Sequence, residues 1–301
     1  MAQQLWGIDL GGTKIEGVIA SVEDGEVDVR LRHRIPTEAD QGYQHIIERI
    51  ALLLHEMEEQ TGEKPAAIGI GTPGTSDPST GLMRGCNTTS LNGKPLGNDL
   101  QAALGIPVRI ANDANCFALA EALLGAGKGC QVVFGVIMGT GVGGGVVVDG
   151  HVLDGRQGIA GEWGHNLLDP DGPDCYCGRK GCVETILSGP FLERHYATLS
   201  GASKRLPEIV SDWRAGTDPS ATATMERLLS FFGKAIGPIV NVLDPDLIVL
   251  GGGVGNIDEL VSEGGQAALP WIFNPQPSIR LAKPRLGDSA GVFGAALLQM
   301  A

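Results

Sequence analysis

Two glycine-rich turns, each set between apolar runs of β character, constrain this chain more than any other feature. The first reads Asp9-Leu10-Gly11-Gly12-Thr13-Lys14 and lies between the apolar runs 5–8 and 15–20. The second reads Gly139-Thr140-Gly141-Val142-Gly143-Gly144 and lies between the runs 132–138 and 146–148. A hairpin tip without side chains presents its backbone N–H groups to an anion, and glycine lets the chain come close to a phosphate. Two such tips facing across a cleft would make a phosphate clamp. An Asn112-Asp113 pair lies between them in the sequence. The pattern predicts phosphoryl transfer from ATP.

Other nucleotide motifs fit less well. Gly139-x-Gly141-x-x-Gly144 and Gly69-x-Gly71-x-x-Gly74 both match a dinucleotide fingerprint. That fingerprint needs a helix directly after the turn, so that the pyrophosphate meets a helix N-terminus. The first continues into Gly145-Val146-Val147-Val148, which reads as a strand, and the second into Thr75-Ser76-Asp77-Pro78, which reads as a loop. A P-loop is absent, and Lys14 is followed by Ile15 rather than Ser or Thr.

The length of 301 residues suggests two domains of ordinary size. Hydrophobic residues at 43% and charged residues at 19% fit a soluble globular chain. The formal charge of −13 would repel a nucleic acid, since that binding rests on clustered cations. It does not prevent ATP binding, because Mg²⁺ and backbone N–H groups supply positive field locally. No basic region precedes the first apolar stretch, so no signal peptide is visible. The window 129–148 carries no charged side chain. Its glycines break it, and it reads as two buried strands around a turn rather than a membrane span. These features place the chain in the cytoplasm, where thiols stay reduced and six cysteines are no disulfide framework by number alone.

Apolar residues Tyr43, Ile46, Ile47, Ile50, Leu53, Leu54 and Met57 recur at helical spacing, and Gly62 marks a stop. Strands are expected over 66–72 and 107–110, and helices over about 114–124, 222–242 and 291–298, with a loop-rich insert at 149–189. The halves repeat one α/β theme, each led by a β-hairpin. The expected domains are 1–116 plus 288–301, and 117–287, with a hinge near Phe117.

Asp113 follows a strand and opens a helix, which favours its ionised form and makes it a candidate general base. The alternative is a plain N-cap. Asp9 ends a strand before the first turn and could hold Mg²⁺ through water, or cap the turn. His165, Cys175, Cys177 and Cys182 form a Cys₃His group, with Gly178 and Gly181 freeing the backbone to wrap an ion. That set suits structural Zn²⁺; a Cys175–Cys182 disulfide is the alternative. Cys86, Cys116 and Cys130 read as small core residues. Glu162 and Glu184 flank the group, so fixing the ligands fixes two carboxylates that could accept from substrate hydroxyls. A hydrogen bond to one of the metal-binding side chains is the alternative for each. Asn92 and Asn112 would complete that substrate site, although Asn92-Gly93 is also a good turn pair.

D-L-G-G-T-K at 9–14, N-D-A-N at 112–115, G-T-G-V-G-G-G at 139–145, G-E-W-G-H at 161–165 and C-x-C-G-x-x-G-C-x-E at 175–184 resemble the ROK family of sugar kinases, which also contains repressors. The resemblance runs from about residue 5 to residue 298. It implies the actin-like ATPase fold of the hexokinases: duplicated α/β lobes with a cleft between them. It implies Asp113 as general base. It places ATP phosphates on Gly11, Gly12, Thr13, Thr140 and Gly141, with Lys14 in the same ATP group. Mg²⁺ would lie near Asp9, and adenosine over Gly251, Gly252 and Gly253. Glu162, His165 and Glu184 would bind the sugar, and a homodimer is implied. The family's repressors carry a helix-turn-helix ahead of the body, for which this sequence shows no room. The local text around Trp163 and Cys175-Tyr176-Cys177-Gly178 looks most like fructokinases that also accept mannose. Similar N-acetylglucosamine kinases tend to have phenylalanine at the first place and C-G-C-G at the second. The first expectation is therefore an ATP- and Mg²⁺-dependent fructose 6-kinase. A kinase for N-acetylglucosamine or glucose, or a non-catalytic sugar sensor, is the alternative.

Overall fold

The structure is a computed structural model that describes residues 4–23 and 26–300. The chain packs as two compact units, one from the described residues of Met1–Gly129, Gly145–Ala160 and Arg285–Ala301, the other from Cys130–Gly144 and Gly161–Pro284. The chain therefore does not part near Phe117. That residue is buried at 7% exposure in the middle of a helix that stays whole.

The first unit opens with β1 (Gln4–Leu10), β2 (Lys14–Glu23) and β3 (Glu26–Pro36). Helix α1 (Tyr43–Thr61) buries Ile46, Ile47, Ile50, Leu53, Leu54 and Met57, the apolar stripe expected from its spacing. Gly62 ends it in the left-handed region at φ 72°. Strand β4 (Ile68–Thr72) follows, then a two-residue pair, β5 (Thr75–Ser76) with β6 (Met83–Arg84). Helix α2 (Leu96–Leu104), strand β7 (Val108–Asn112) and helix α3 (Asp113–Leu123) complete the run.

Next come β8 (Val132–Met138), β9 (Val142–Val148) and β10 (His151–Val152). The insert after β10 is mostly irregular until α4 (Glu184–Leu187) and α5 (Gly189–Ser200). Helix α6 (Leu206–Ala215) and the long α7 (Pro219–Leu243) follow, the latter capped by Asp218, which accepts from the N–H groups of Ser220 and Ala221. Strand β11 (Leu247–Gly251) runs into the single turn α8 (Gly252–Gly255), then α9 (Gly265–Ala268), β12 (Leu281–Ala282) and the closing α10 (Ala290–Leu297).

The two five-stranded sheets share one plan, β3-β2-β1-β4-β7 and β10-β9-β8-β11-β12. In each, the hairpin strands at the outer edge pair antiparallel, and the third and fourth and the fourth and fifth strands in that order pair parallel. This is the internal repeat that the sequence suggests. Strands β4 and β11 are buried at every residue, as parallel strands covered on both faces must be.

In the first unit the end of the sheet is set by backbone approach. A Cβ on Gly69 would overlap the Ala295 carbonyl, and one on Gly294 the Cys116 carbonyl. Bare glycines at these places let α10 seat directly on β4 and α3. The register then aligns Asp9 with Gly71, Gly71 with Ala111, and Thr72 with Asn112. Asp9 and the Asn112-Asp113 pair so emerge at the carboxyl ends of β1 and β7, the parallel strands on either side of β4, where ligands of open α/β sheets bind.

Candidate active site

The first glycine turn is closed by Gly11 N–H donating to the Lys14 carbonyl at 3.0 Å. Thr37 clamps it from beside, its N–H reaching the Thr13 carbonyl at 3.0 Å and its hydroxyl the Gly11 carbonyl at 2.6 Å. A Cβ on Gly12 would meet nothing nearer than the Thr88 hydroxyl at 3.5 Å, so the tip is open above its backbone.

Asn112, not Asp113, is the cap of α3: its Oδ1 accepts from Asn115 N–H at 2.7 Å. Asp113 is the first helical residue, and one of its oxygens accepts from Ala114 N–H at 2.8 Å. Its side chain is exposed, yet enough protein surrounds it for desolvation to push its pKa up, against the pull of its backbone hydrogen bonds. Surface area decides what reaches the carboxylate; the density of protein around it decides the cost of charging it.

Asp9 lies between Gly71 and Gly291: a Cβ on either would come within 3.5 Å of its carboxylate. Burial first, then repulsion from Asp113 and Glu16, push its pKa up to about 6, with Lys14 pulling it down. Cys116 is buried against both aspartates, which helps hold its thiol protonated. A half-buried carboxylate next to a second one is the electrostatic arrangement of a group awaiting a cation.

Between the ordinary 3.8 and about 6, the folded protein keeps a proton on Asp9 that the unfolded chain has released. Stability contributed by that proton is lost as pH rises through this window, a cost on the order of 2–3 kcal/mol above it. Asp9→Asn should therefore raise Tm relative to wild type at pH 8 without Mg²⁺, and much less at pH 4. Thermal melts at both values check this; an equal effect at the two would contradict the burial of the charge.

In the second unit, Gly139 N–H donates to the Gly141 carbonyl at 2.9 Å, and Gly189 N–H to the Gly139 carbonyl at 2.8 Å. A Cβ on Gly139 would be 3.9 Å from Gly253 N and one on Gly253 would touch nothing, so the second turn and the Gly251–Gly253 segment are neighbours with bare backbone. Gly252 has φ 80° and its missing Cβ would strike Met138 backbone, so only glycine fits there. Thr140 stands at the tip of the turn. Glu184 Oε2 accepts from Val142 N–H at 2.9 Å and so ties α4 to the turn.

The Cys₃His group assembles as expected. The ligand atoms of His165, Cys175, Cys177 and Cys182 all lie within 4.8 Å of one another. Cys177 and Cys182 sulfurs are 3.6 Å apart, close to the edge of a tetrahedron built on Zn–S bonds of about 2.3 Å. His165 Nδ1 is 3.6 Å from the Cys175 sulfur. All six cysteines are free thiols, so the disulfide alternative is not realised. Burial pushes the Cys177 thiol up, but hydrogen bonds from Arg179 and the neighbouring thiols outweigh it and hold the pKa at about 6. A ready thiolate, two further thiols and an imidazole are the donor chemistry that structural zinc takes. The loop is wrapped by Gly181, whose Cβ would overlap the Asp169 carbonyl.

Glu162 precedes the short turn Trp163–His165, and Glu184 follows Cys182 by two residues, so the knuckle carries both carboxylates. Tyr176 was not singled out by the sequence for any role beyond subfamily likeness. Its hydroxyl meets His165 Nε2 at 3.0 Å, and Glu184 and Glu162 help raise its pKa to about 12, after burial. It therefore stands beside every residue expected to bind sugar in this unit. Its place between Cys175 and Cys177 was the available signal.

Two expected sugar ligands have other work. Asn92 Oδ1 accepts from Cys86 N–H at 2.9 Å while its Nδ2 donates to the Cys86 carbonyl at 3.1 Å, closing the 86–92 loop. Asn112 caps α3.

The fold and these groups define a phosphotransferase of hexokinase type. The sequence matches the ROK family over residues 5–301. It is 38% identical to an N-acetyl-D-glucosamine kinase of Pectobacterium atrosepticum, over 98% of each chain. The structure matches a ROK hexokinase from Thermus thermophilus with TM-score 0.88 and 34% identity, over 99% of each chain. It matches a ROK family glucokinase from Streptomyces griseus, solved with glucose and AMPPNP, with TM-score 0.79 and 28% identity, over 99% of this chain and 100% of that one. The chain belongs to the ROK family and is a sugar kinase of that family.

Proposed function

We propose that this kinase transfers the γ-phosphoryl group of MgATP to the 6-hydroxyl of N-acetyl-D-glucosamine. The observation that carries the sugar assignment is the 38% identity to a kinase of that name over 98% of each chain. It replaces fructose as the first choice. The fructose reading leaned on Trp163 and on the C-Y-C-G text. Trp163 is 3% exposed, its indole N–H donates to the Gly143 carbonyl at 2.8 Å, and its ring meets Phe134 edge to face. It is a packing residue behind the second turn, and its identity says little about the acceptor.

Asp113 orients the sugar hydroxyl and accepts its proton as the new P–O bond forms. Its raised pKa brings it closer to that task than an ordinary aspartate. Backbone N–H groups of Gly11, Gly12 and Thr13, with Lys14, and of Thr140 and Gly141 hold the phosphates. Asp9 holds Mg²⁺ through water, and Gly251, Gly252 and Gly253 take the adenosine. Glu162, Glu184 and His165 bind the sugar, with Tyr176 beside them. His165, Cys175, Cys177 and Cys182 would hold zinc, which supplies rigidity to the knuckle and no chemistry. Among the described residues no helix is long and apolar enough to cross a membrane. We place the enzyme in the cytoplasm, where ATP and reduced thiols occur.

The test is ADP release with N-acetylglucosamine, N-acetylmannosamine, glucose, mannose and fructose. The expected result is the highest kcat/KM with N-acetylglucosamine, by about tenfold or more over fructose, because one or two polar contacts set such preferences. A preference for fructose would reverse the assignment while leaving the kinase intact. ADP release with none of them would favour a sensor.

A further inference from the structure

We infer that the second unit carries a separate binding site for a phosphate-bearing ligand, in a surface pocket of about 400 Å³ formed by α5, α7 and the zinc knuckle. Its lining includes Arg194 and His195 from α5, Arg227 from α7, Thr185 from α4 and Asp174 from the knuckle. None of these is a group used by the transfer reaction.

The charge balance of the pocket is unusual for this chain. The protein carries −13 overall, yet two guanidinium groups and an imidazole converge here. Neither Arg194 nor Arg227 forms an ion pair among the described residues. Each is held by an aromatic face instead: Arg194 lies 3.7 Å from the centre of the Phe191 ring, and Arg227 lies 4.7 Å from that of Phe231. Such contacts orient a cation and compensate only part of its lost hydration. Arg227 is half-buried, and burial lowers its pKa, with Asp169 offsetting part of the effect. His195 is lowered too, by burial and by Arg227. Asp174, the one carboxylate on the wall, is 3.5 Å from Lys180 Nζ, which matches its charge.

Two forks from different helices, neither of them in an ion pair among the described residues, suit a tetrahedral dianion, which can accept from both at once. His195, kept neutral, adds a donor, and the pocket has room beyond a bare phosphate for an attached sugar. The shared chemistry is a phosphate dianion; its source is either free phosphate or a sugar phosphate. Thr185 follows Glu184 directly and Asp174 precedes Cys175, so an occupant touches the segments that carry the knuckle. The inference stands on this pocket alone and does not depend on which sugar is phosphorylated.

The test uses the imidazole signals of His195 in the zinc-loaded full chain, assigned with His195→Gln. They are followed while inorganic phosphate, N-acetylglucosamine 6-phosphate or unphosphorylated N-acetylglucosamine is added at constant ionic strength with chloride. The expected result is a saturating shift with a phosphate-bearing probe, weakened about tenfold in the Arg194→Gln/Arg227→Gln pair. Arg194 is exposed, so Arg194→Gln alone keeps the test open should the double variant misfold, and it should weaken binding as well. A shift with inorganic phosphate alone assigns free phosphate; a tighter one with the sugar phosphate assigns that. No response to any phosphate probe, an equal response to the unphosphorylated sugar, or binding unchanged by the variants would overturn the inference.

Discussion

Asp113→Asn is expected to lower kcat by about 10²-fold or more, with the fold and the sugar KM close to wild type. The reason for the split lies in how α3 begins. Its cap is Asn112, whose Oδ1 already takes the Asn115 N–H at 2.7 Å, so the helix does not depend on the aspartate. The hydrogen bond from Ala114 N–H at 2.8 Å can be accepted by an asparagine oxygen equally well. What the amide cannot do is take a proton. Steady-state kinetics beside a thermal melt separate the two effects. A variant that turns over near the wild-type rate removes Asp113 from the chemistry, and one that unfolds shows that the carboxylate is structural.

Loss of the zinc knuckle should be the other large effect. The purified protein is expected to contain one zinc per chain, bound through His165, Cys175, Cys177 and Cys182. Cys182 is 1% exposed and begins the turn that leads to Glu184. Cys182→Ser, or removal of the metal by a chelator, releases a site of the kind worth roughly 10–16 kcal/mol in isolated zinc modules. The loop 165–184 should then lose its order, and kcat/KM for the sugar should fall by about 10²-fold or more. The sugar KM should suffer more than the ATP KM, because the glutamates ride on the knuckle. Elemental analysis and sugar-dependent kinetics check the two halves of this expectation. Metal-free protein with full activity would show that the thiols pack without an ion.

The turns, the aspartates and the Cys₃His group were readable because each depends on residue types a few positions apart. The stripe of α1 was readable for the same reason, since its period is set by one face. Helices α2, α5 and α6 were not foreseen. Each is short, between 9 and 12 residues, and α5 buries only Leu192 and Tyr196, too few for a clear period. The division into units was hidden because β9 runs straight through it at Gly144/Gly145, with no change of composition. The backbone bonds of Asn92 and Asn112 were hidden because the sequence shows an amide but not which backbone group it satisfies.

Glu121 was missed although its setting was a signal. It is a lone charge in the otherwise apolar stretch Phe117–Leu124, and in the fold it has 0% exposure. Its carboxylate accepts from the N–H groups of Ala126, Arg285 and Leu286 at 2.9–3.1 Å, joining α3 to the segment that leads into α10. A buried carboxylate with that many donors is a tie between segments distant in sequence, and only the fold supplies the partners. The fructose reading leaned on Trp163, which is part of the packing and says little about the acceptor.

The proposed reaction of this chain is phosphorylation of N-acetylglucosamine at its 6-hydroxyl. The direct measurement is a competition in one vessel: enzyme and MgATP with equal concentrations of N-acetylglucosamine, glucose and fructose, and products identified by phosphorus NMR. N-acetylglucosamine 6-phosphate is expected as the main early product, formed about 10²-fold more slowly when Asp113→Asn replaces the wild type. Fructose or glucose phosphate as the dominant product, or phosphate released as free ion, would contradict it.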